Sequence, residues 1–170
     1  LAARSDNWAF FGRDASGTRF APYEDITPQN VKNLKVAWTY HTGRRLTGAG
    51  IGVDENTPLQ IGDTLYSCTP LNVVTALDAD TGKARWRFDP HAQTAEHVTC
   101  RGVGYWDAQS DDSLSAEEKA SPSLQQCPQR ILVSTVDARL IALNAKTGEL
   151  CDDFGDHGSV DLKQGMDNTE

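Results

Sequence analysis

The sequence contains no stretch approaching the eighteen or so consecutive apolar residues that a membrane helix requires. Its first residues, LAARSDNWAF, also lack the basic-then-apolar order of a secretory signal. As a piece of chain it reads as soluble. Runs of lysine and arginine are nearly absent and the net charge is −8. Nucleic acid and anionic membrane surfaces both reward basic patches, so neither is expected as a partner, and a small neutral or polar ligand fits better. Missing too is any CxxC pair, since the four cysteines, Cys68, Cys100, Cys127 and Cys151, stand far apart. Neither a CxxC zinc site nor a CxxC redox motif is therefore present. No set of metal ligands is visible, and His41, His91 and His157 have no partner arrangement.

What is present describes an ordinary globular piece. The 170 residues are 38% hydrophobic and 24% charged, which suits one domain and excludes a disordered tail. The chain starts without Met and stops at GMDNTE without a closing element, so a fragment of a longer protein is expected. The even cysteine count is compatible with an oxidising compartment and one or two disulfides, with three connectivities if all four pair. Cys100 with Cys127 is the expected pair, because it would staple the two ends of the polar segment between them. Four buried free thiols are the bland alternative.

Repetition is the strongest signal. DTLYSCTPLNVVTALDADTG (63–82) lies over QRILVSTVDARLIALNAKTG (129–148) without a gap, matching Thr69 to Thr135, Ala76-Leu77 to Ala142-Leu143, and Thr81-Gly82 to Thr147-Gly148. Each copy runs from a short β-branched stretch through a turn and a second apolar stretch to an Asp/Asn-Ala-x-Thr-Gly turn. That order predicts antiparallel strands joined by tight hairpins, with Gly82 and Gly148 supplying positive φ. KARWRF (83–88) follows the first turn, and LKVAWTYHTG (34–43) offers an earlier strand of the same style. Tryptophans in such closing strands point to an all-β fold, a β-propeller, whose four-stranded blades of about 40 to 50 residues bury their faces against one another. The length holds roughly two blades, near 58–90 and 129–155, within a single domain over 1–170. A small β-sandwich is the alternative. Trp8, Trp38 and Trp86 read as core docking residues rather than cofactor stackers.

The segment 91–128 interrupts the repeat. It holds the cluster EHVTCRGVGYWD (96–107) and then a polar stretch in which SLSAEEKA carries the Ser-x-x-Glu signature of a short helix. Insertions of this kind lie on a blade face or rim and often carry function.

TALDADTGKARWRF resembles the tryptophan-docking repeat of pyrroloquinoline quinone (PQQ) dehydrogenases. With NWAFFGRDASGTRFAPYEDITPQNVKNLKVAWTYHTG, ENTPLQIGDTLYSCT and HVTCRGVGY, the chain resembles the membrane-bound quinoprotein glucose dehydrogenases of bacteria over almost its whole length. The resemblance implies an eight-bladed propeller holding PQQ on its axis, of which this would be the first part. It also implies oxidation of D-glucose at C1 to gluconolactone and transfer of electrons to ubiquinone. The domain would face the periplasm and be tied to the bacterial inner membrane by an anchor absent from these residues. The family's Ca²⁺ or Mg²⁺, its catalytic aspartate and its ring-stacking tryptophan would lie in later blades, leaving no catalytic residue here and a fragment inactive alone.

Three residues match cofactor contacts of that family. Arg101 offers a planar fork of donors that fits the three carboxylates and ortho-quinone of PQQ, and its charge would stabilise negative charge developing on a quinone oxygen. A surface ion pair with one of the many acids is its bland reading. His97 would contact both the cofactor and the sugar hydroxyls. Glu55, in DENTP, matches a glutamate that hydrogen-bonds PQQ, with Asp54 as its rival; Thr57-Pro58 shapes the strand entry. No two cysteines are adjacent, unlike the pair held against the cofactor in relatives of methanol dehydrogenase, which favours the glucose or quinate branch. Two alternatives remain. One is a PQQ-dependent quinate or polyol dehydrogenase. The other is a non-enzymatic propeller scaffold such as the lipoprotein of the outer-membrane assembly machinery, which would have no reason to keep Glu55 or His97-x-x-Cys-Arg-Gly.

Overall fold

The computed structural model describes residues 7–14, 16–43, 53–93 and 98–166. Its strands in chain order are β1 (Val53–Asp54), β2 (Leu59–Ile61), β3 (Thr64–Cys68), β4 (Val74–Asp78), β5 (Ala84–Phe88), β6 (Thr99–Cys100), β7 (Gly104–Asp107), β8 (Gln129–Ser134), β9 (Arg139–Asn144) and β10 (Ser159–Asp161). They form two antiparallel four-stranded meanders, β2-β3-β4-β5 and β7-β8-β9-β10, and a short parallel pair, β1 with β6.

The repeat read from the sequence is a repeat of register. Thr64 opposite Asp78 and Tyr66 opposite Ala76 recur as Arg130 opposite Asn144 and Leu132 opposite Ala142. Each hairpin continues into the same turn. Asp78 Oδ1 accepts from the Thr81 amide at 2.9 Å, Asn144 Oδ1 accepts from the Thr147 amide at 3.2 Å, and the amides of Gly82 and Gly148 each return to the residue 78 or 144 carbonyl at 2.8 Å. Side-chain acceptors of this kind stabilise the turn and explain why Asp or Asn occupies its first position.

Alternation sets the packing. Ile131, Val133, Ile141 and Leu143 point one way from the second sheet and join Tyr66, Cys68, Val74 and Ala76 of the first in one buried cluster, with Trp86 and Phe88 at its margin. Ile131 and Val133 are fully buried, and each such side chain contributes about 1.5–3 kcal/mol relative to exposure. Leu132 and Ala142 face the opposite way, against Cys127, Cys151 and Phe154. A sheet covered on both faces in this manner is one blade among stacked blades.

Tryptophans join the blades. Trp86 Nε1 donates to the Ala145 carbonyl at 2.9 Å, and Trp38 Nε1 donates to the matching Ala79 carbonyl at 3.0 Å. Gly148 (φ 75°) leaves room for this, because a Cβ there would stand 2.6 Å from the Trp86 ring; Gly82 (φ 69°) faces the Trp38 ring in the same way. The docking role expected for Trp38 and Trp86 is therefore observed. Trp8 instead bridges Gln60 on the outside of β2.

Two expectations need revision. Residues 34–43 form no strand, and Trp38 Nε1 ties them to the first sheet. The segment 91–128 is not wholly outside the repeat, because β6 and β7 lie within it and β7 is the first strand of the second sheet. Its helical part is a single 3-10 turn over Ala108–Ser110 and two short α-helices, α1 (Ala116–Lys119) and α2 (Pro122–Gln126). Ser115 and Glu118 cap α1 reciprocally: the Ser115 amide donates to Glu118 Oε2 at 2.8 Å and the Glu118 amide donates to Ser115 Oγ at 3.2 Å.

Candidate functional site

The two-residue ladder of β1 and β6 brings together residues far apart in the chain. The Val53 amide donates to the Val98 carbonyl at 3.1 Å, the Thr57 amide to the Arg101 carbonyl at 3.1 Å, and Thr99 Oγ1 to the Val53 carbonyl at 2.9 Å. Gly102 follows with φ 152°, and a Cβ there would stand 3.2 Å from the Thr57 carbonyl oxygen, so glycine suits this close approach.

Across that ladder Arg101 Nε donates to Glu55 Oε2 at 2.9 Å, over a separation of 46 positions. The arginine side chain is 79% exposed and the glutamate 45%, so the pair stands at the surface of this part of the protein. Only Nε is engaged; the two terminal nitrogens of the guanidinium have no partner among the described residues. Asp54 accepts from the Asn56 amide at 3.2 Å and makes no ion pair with Arg101 among the described residues. His97 lies outside the described residues.

Two disulfides form, and neither is Cys100 with Cys127. Cys68 bonds Cys100 with 6.1 Å between Cα atoms, and Cys127 bonds Cys151 at 5.6 Å. The physical reason is sidedness: Cys68 and Cys100 are buried in the cluster between the two sheets, whereas Cys127 and Cys151 lie on the far face of the second. Spacing along the chain carries no information about which face a cysteine occupies.

Sequence reasoning also missed Asn56 and Ser67. Asn56 Nδ2 donates to Ser67 Oγ at 2.9 Å, and its Oδ1 accepts from the Cys68 amide at 3.2 Å, tying the segment that carries Glu55 to the end of β3. Asn56 stands within DENTP, but nothing local distinguishes its bond to β3 from an ordinary turn asparagine.

Charge elsewhere is structural. Arg85 bridges Asp63 and Asp78, each at 2.8 Å, and its guanidinium, with help from the Thr81 hydroxyl and amide, draws the Asp78 carboxyl down to about 2. Tyr105 is pushed up by burial and then by the neighbouring Asp107 carboxylate. His157 is exposed and pairs with Asp152 at 2.6 Å, away from the Glu55–Arg101 pair in the chain and on the second sheet's outer connection. Among the described residues no group of three or more His, Cys, Asp or Glu is arranged to hold a metal ion.

The comparison with known proteins agrees with this architecture. Residues 8–170 match the family described as PQQ, glucose/ethanol/alcohol dehydrogenase, β-propeller domain. The chain is 44% identical to quinoprotein glucose dehydrogenase A of Acinetobacter calcoaceticus, over 96% of this chain and 21% of that one. It is 42% identical to quinoprotein glucose dehydrogenase of Escherichia coli K12, over 96% and 20%, and 40% identical to the quinate/shikimate dehydrogenase (quinone) of Acinetobacter baylyi, over 99% and 22%. Among solved structures it is similar to the quinohemoprotein alcohol dehydrogenase of Comamonas testosteroni, with TM-score 0.69 and 26% identity over 96% of this chain and 20% of that one. The chain thus spans about a fifth of the length of the curated relatives it matches. With its two stacked meanders, its docking tryptophans and that match across nearly every residue, the chain belongs to the PQQ-type glucose/ethanol/alcohol dehydrogenase β-propeller family.

Proposed function

We propose that this chain is part of a PQQ-dependent dehydrogenase that oxidises D-glucose at C1 to gluconolactone and passes electrons to ubiquinone. The observation that carries the reading is the Glu55–Arg101 pair. Glu55 holds one edge of the guanidinium and leaves the fork of two terminal NH₂ groups without a partner among the described residues, which is the donor set that a carboxylate-rich quinone requires. The residues present therefore fit PQQ. Arg101 would hold its oxygens by charge-assisted hydrogen bonds, and His97 would take part in binding both cofactor and sugar. When bound, PQQ supplies the ortho-quinone that accepts two electrons from the sugar. Ca²⁺ or Mg²⁺ and the residue that takes the sugar's proton are proposed to be held by parts of the protein outside these residues.

The two disulfides favour an oxidising compartment, which supports a catalytic domain facing the periplasm. No helix among the described residues is long and apolar enough to cross a membrane, so the proposed attachment to the inner membrane rests on another part of the protein. The 40% identity to a quinate/shikimate dehydrogenase favours a second reading, in which the same cofactor platform serves quinate or another polyol.

The test is glucose-dependent reduction of a dye acceptor by the full-length protein in membranes, with and without added PQQ and Mg²⁺ or Ca²⁺, beside Arg101→Ala. PQQ-dependent activity on glucose that the substitution lowers at least tenfold supports the reading. Activity on quinate and none on glucose keeps the cofactor and replaces the substrate. A folded protein with no PQQ response returns the chain to the scaffold class.

A further inference from the structure

The repeat allows the first sheet to be compared with the second at matched positions, and the departure falls at the end of β3. Where the first sheet has Ser67-Cys68, the second has Val133-Ser134. Ser67 and Cys68 receive two separate arms of the chain. One is the arm that carries Glu55: Asn56 donates to Ser67 Oγ at 2.9 Å and accepts from the Cys68 amide at 3.2 Å. The other carries Arg101: Cys100, its neighbour in sequence, is bonded to Cys68. Both sulfurs belong to buried residues, 2% and 5% exposed, whereas the arginine they precede is 79% exposed. The β1–β6 ladder between the arms is only two residues long, too little to fix a long exposed side chain by itself.

We infer that Ser67, Asn56 and the Cys68–Cys100 disulfide are positioning residues: they clamp both arms of the Glu55–Arg101 pair to one point at the end of β3, and so set the affinity for an anionic quinone cofactor. The matched Val133-Ser134 of the second sheet has neither the hydroxyl for an asparagine nor the thiol for a disulfide at those places, and no such pair is built there among the described residues. This inference rests on the PQQ reading proposed above.

Equilibrium dialysis of the full-length apoprotein against PQQ, with the thermal midpoint of the same samples, tests it. Cys68→Ser with Cys100→Ala should raise the PQQ concentration for half-saturation by about tenfold, and Ser67→Val by roughly threefold, the ratios expected for loosened charge-assisted contacts and one lost hydrogen bond. Ser67→Thr keeps the hydroxyl and should restore wild-type binding. Cys127→Ala with Cys151→Ala removes the other disulfide and should lower the thermal midpoint while leaving PQQ binding unchanged. Equal shifts in PQQ binding from the two disulfide variants, or none from either, overturn the inference. Should the Cys68/Cys100 variant fail to fold, the contrast between Ser67→Val and Ser67→Thr decides alone: a shift confined to Val supports the clamp, and equal behaviour overturns it. Wild-type protein that takes up no PQQ overturns the proposed function and this inference together, whereas PQQ binding that every variant leaves unmoved overturns only the inference.

Discussion

The two sheets share their hairpins, their turns and the way each receives a tryptophan, yet they differ in what attaches to them. The first holds the parallel pair β1–β6 through a disulfide at the end of β3 and so carries the charged Glu55–Arg101 pair. In the second, a helical excursion separates β7 from β8 and is drawn back by Cys127–Cys151 and by Arg130 Nε, which donates to the Cys127 carbonyl at 3.1 Å. Shared features answer a common need: each meander has two apolar faces to cover, and the turn and tryptophan cover them the same way each time. Among the unshared features, the Glu55–Arg101 pair of the first sheet stands at the surface, whereas Arg130 of the second is buried and engaged by the Cys127 carbonyl and Asp153.

The largest effect should come from removing a shared part. Trp86→Ala deletes a large half-buried ring together with its bond to Ala145, and should cost about 3–5 kcal/mol in denaturant unfolding of the full-length protein. Trp38→Ala should cost a similar amount if the docking is truly equivalent in the two places. A loss in one and none in the other would break the equivalence. Gly148→Ala is next, since a Cβ meets the Trp86 ring and the residue is held at φ 75°; about 1–3 kcal/mol is expected, with Gly82→Ala alongside it.

The smallest effect separates the turns. The first begins with Asp78 and the second with Asn144, so only the first has an ionisable acceptor at its opening position. The Asp78 carboxyl is lowered in the folded state to about 2 from an ordinary 3.8, chiefly by Arg85. A lowered folded value means that its contribution is whole above pH 3.8 and is lost as the pH falls toward 2. The protection factor of the Gly82 amide, corrected for the intrinsic pH dependence of exchange, should therefore fall across that window while that of Gly148 stays flat, and Asp78→Asn should abolish the difference. A parallel loss of protection at both glycines would show that the two turns respond to general acid expansion rather than to this carboxylate.

The scaffold was legible in the sequence because its causes are local. Period-two alternation, an Asp or Asn that caps its own turn and a glycine beyond it are each decided within five residues, and together they predict the hairpin-joined strands. The long-range partners were not. Glu55 and Arg101 were singled out by resemblance, but their contact depends on a parallel ladder bridging 46 positions, which no local pattern encodes. The cysteine pairing failed for the same reason: bridging the two ends of the polar segment favoured Cys100 with Cys127, and the face of the sheet on which each sits decided otherwise. Residues 34–43 carried the alternation of a strand, but alternation does not supply the neighbouring strand that a ladder needs.

The Ala145 carbonyl accepts from Trp86 at 2.9 Å and from the Tyr66 hydroxyl at 3.0 Å, both of them side chains of the first sheet. On the ribosome those two donors emerge well before their acceptor. The first meander can pair its strands as soon as β5 is out, but its tryptophan and tyrosine stay unlatched until synthesis has passed residue 145 and the next turn has closed. Trp38 waits for Ala79 in the same manner. Each newly made sheet thus finishes the one before it, and the order of translation becomes the order of assembly.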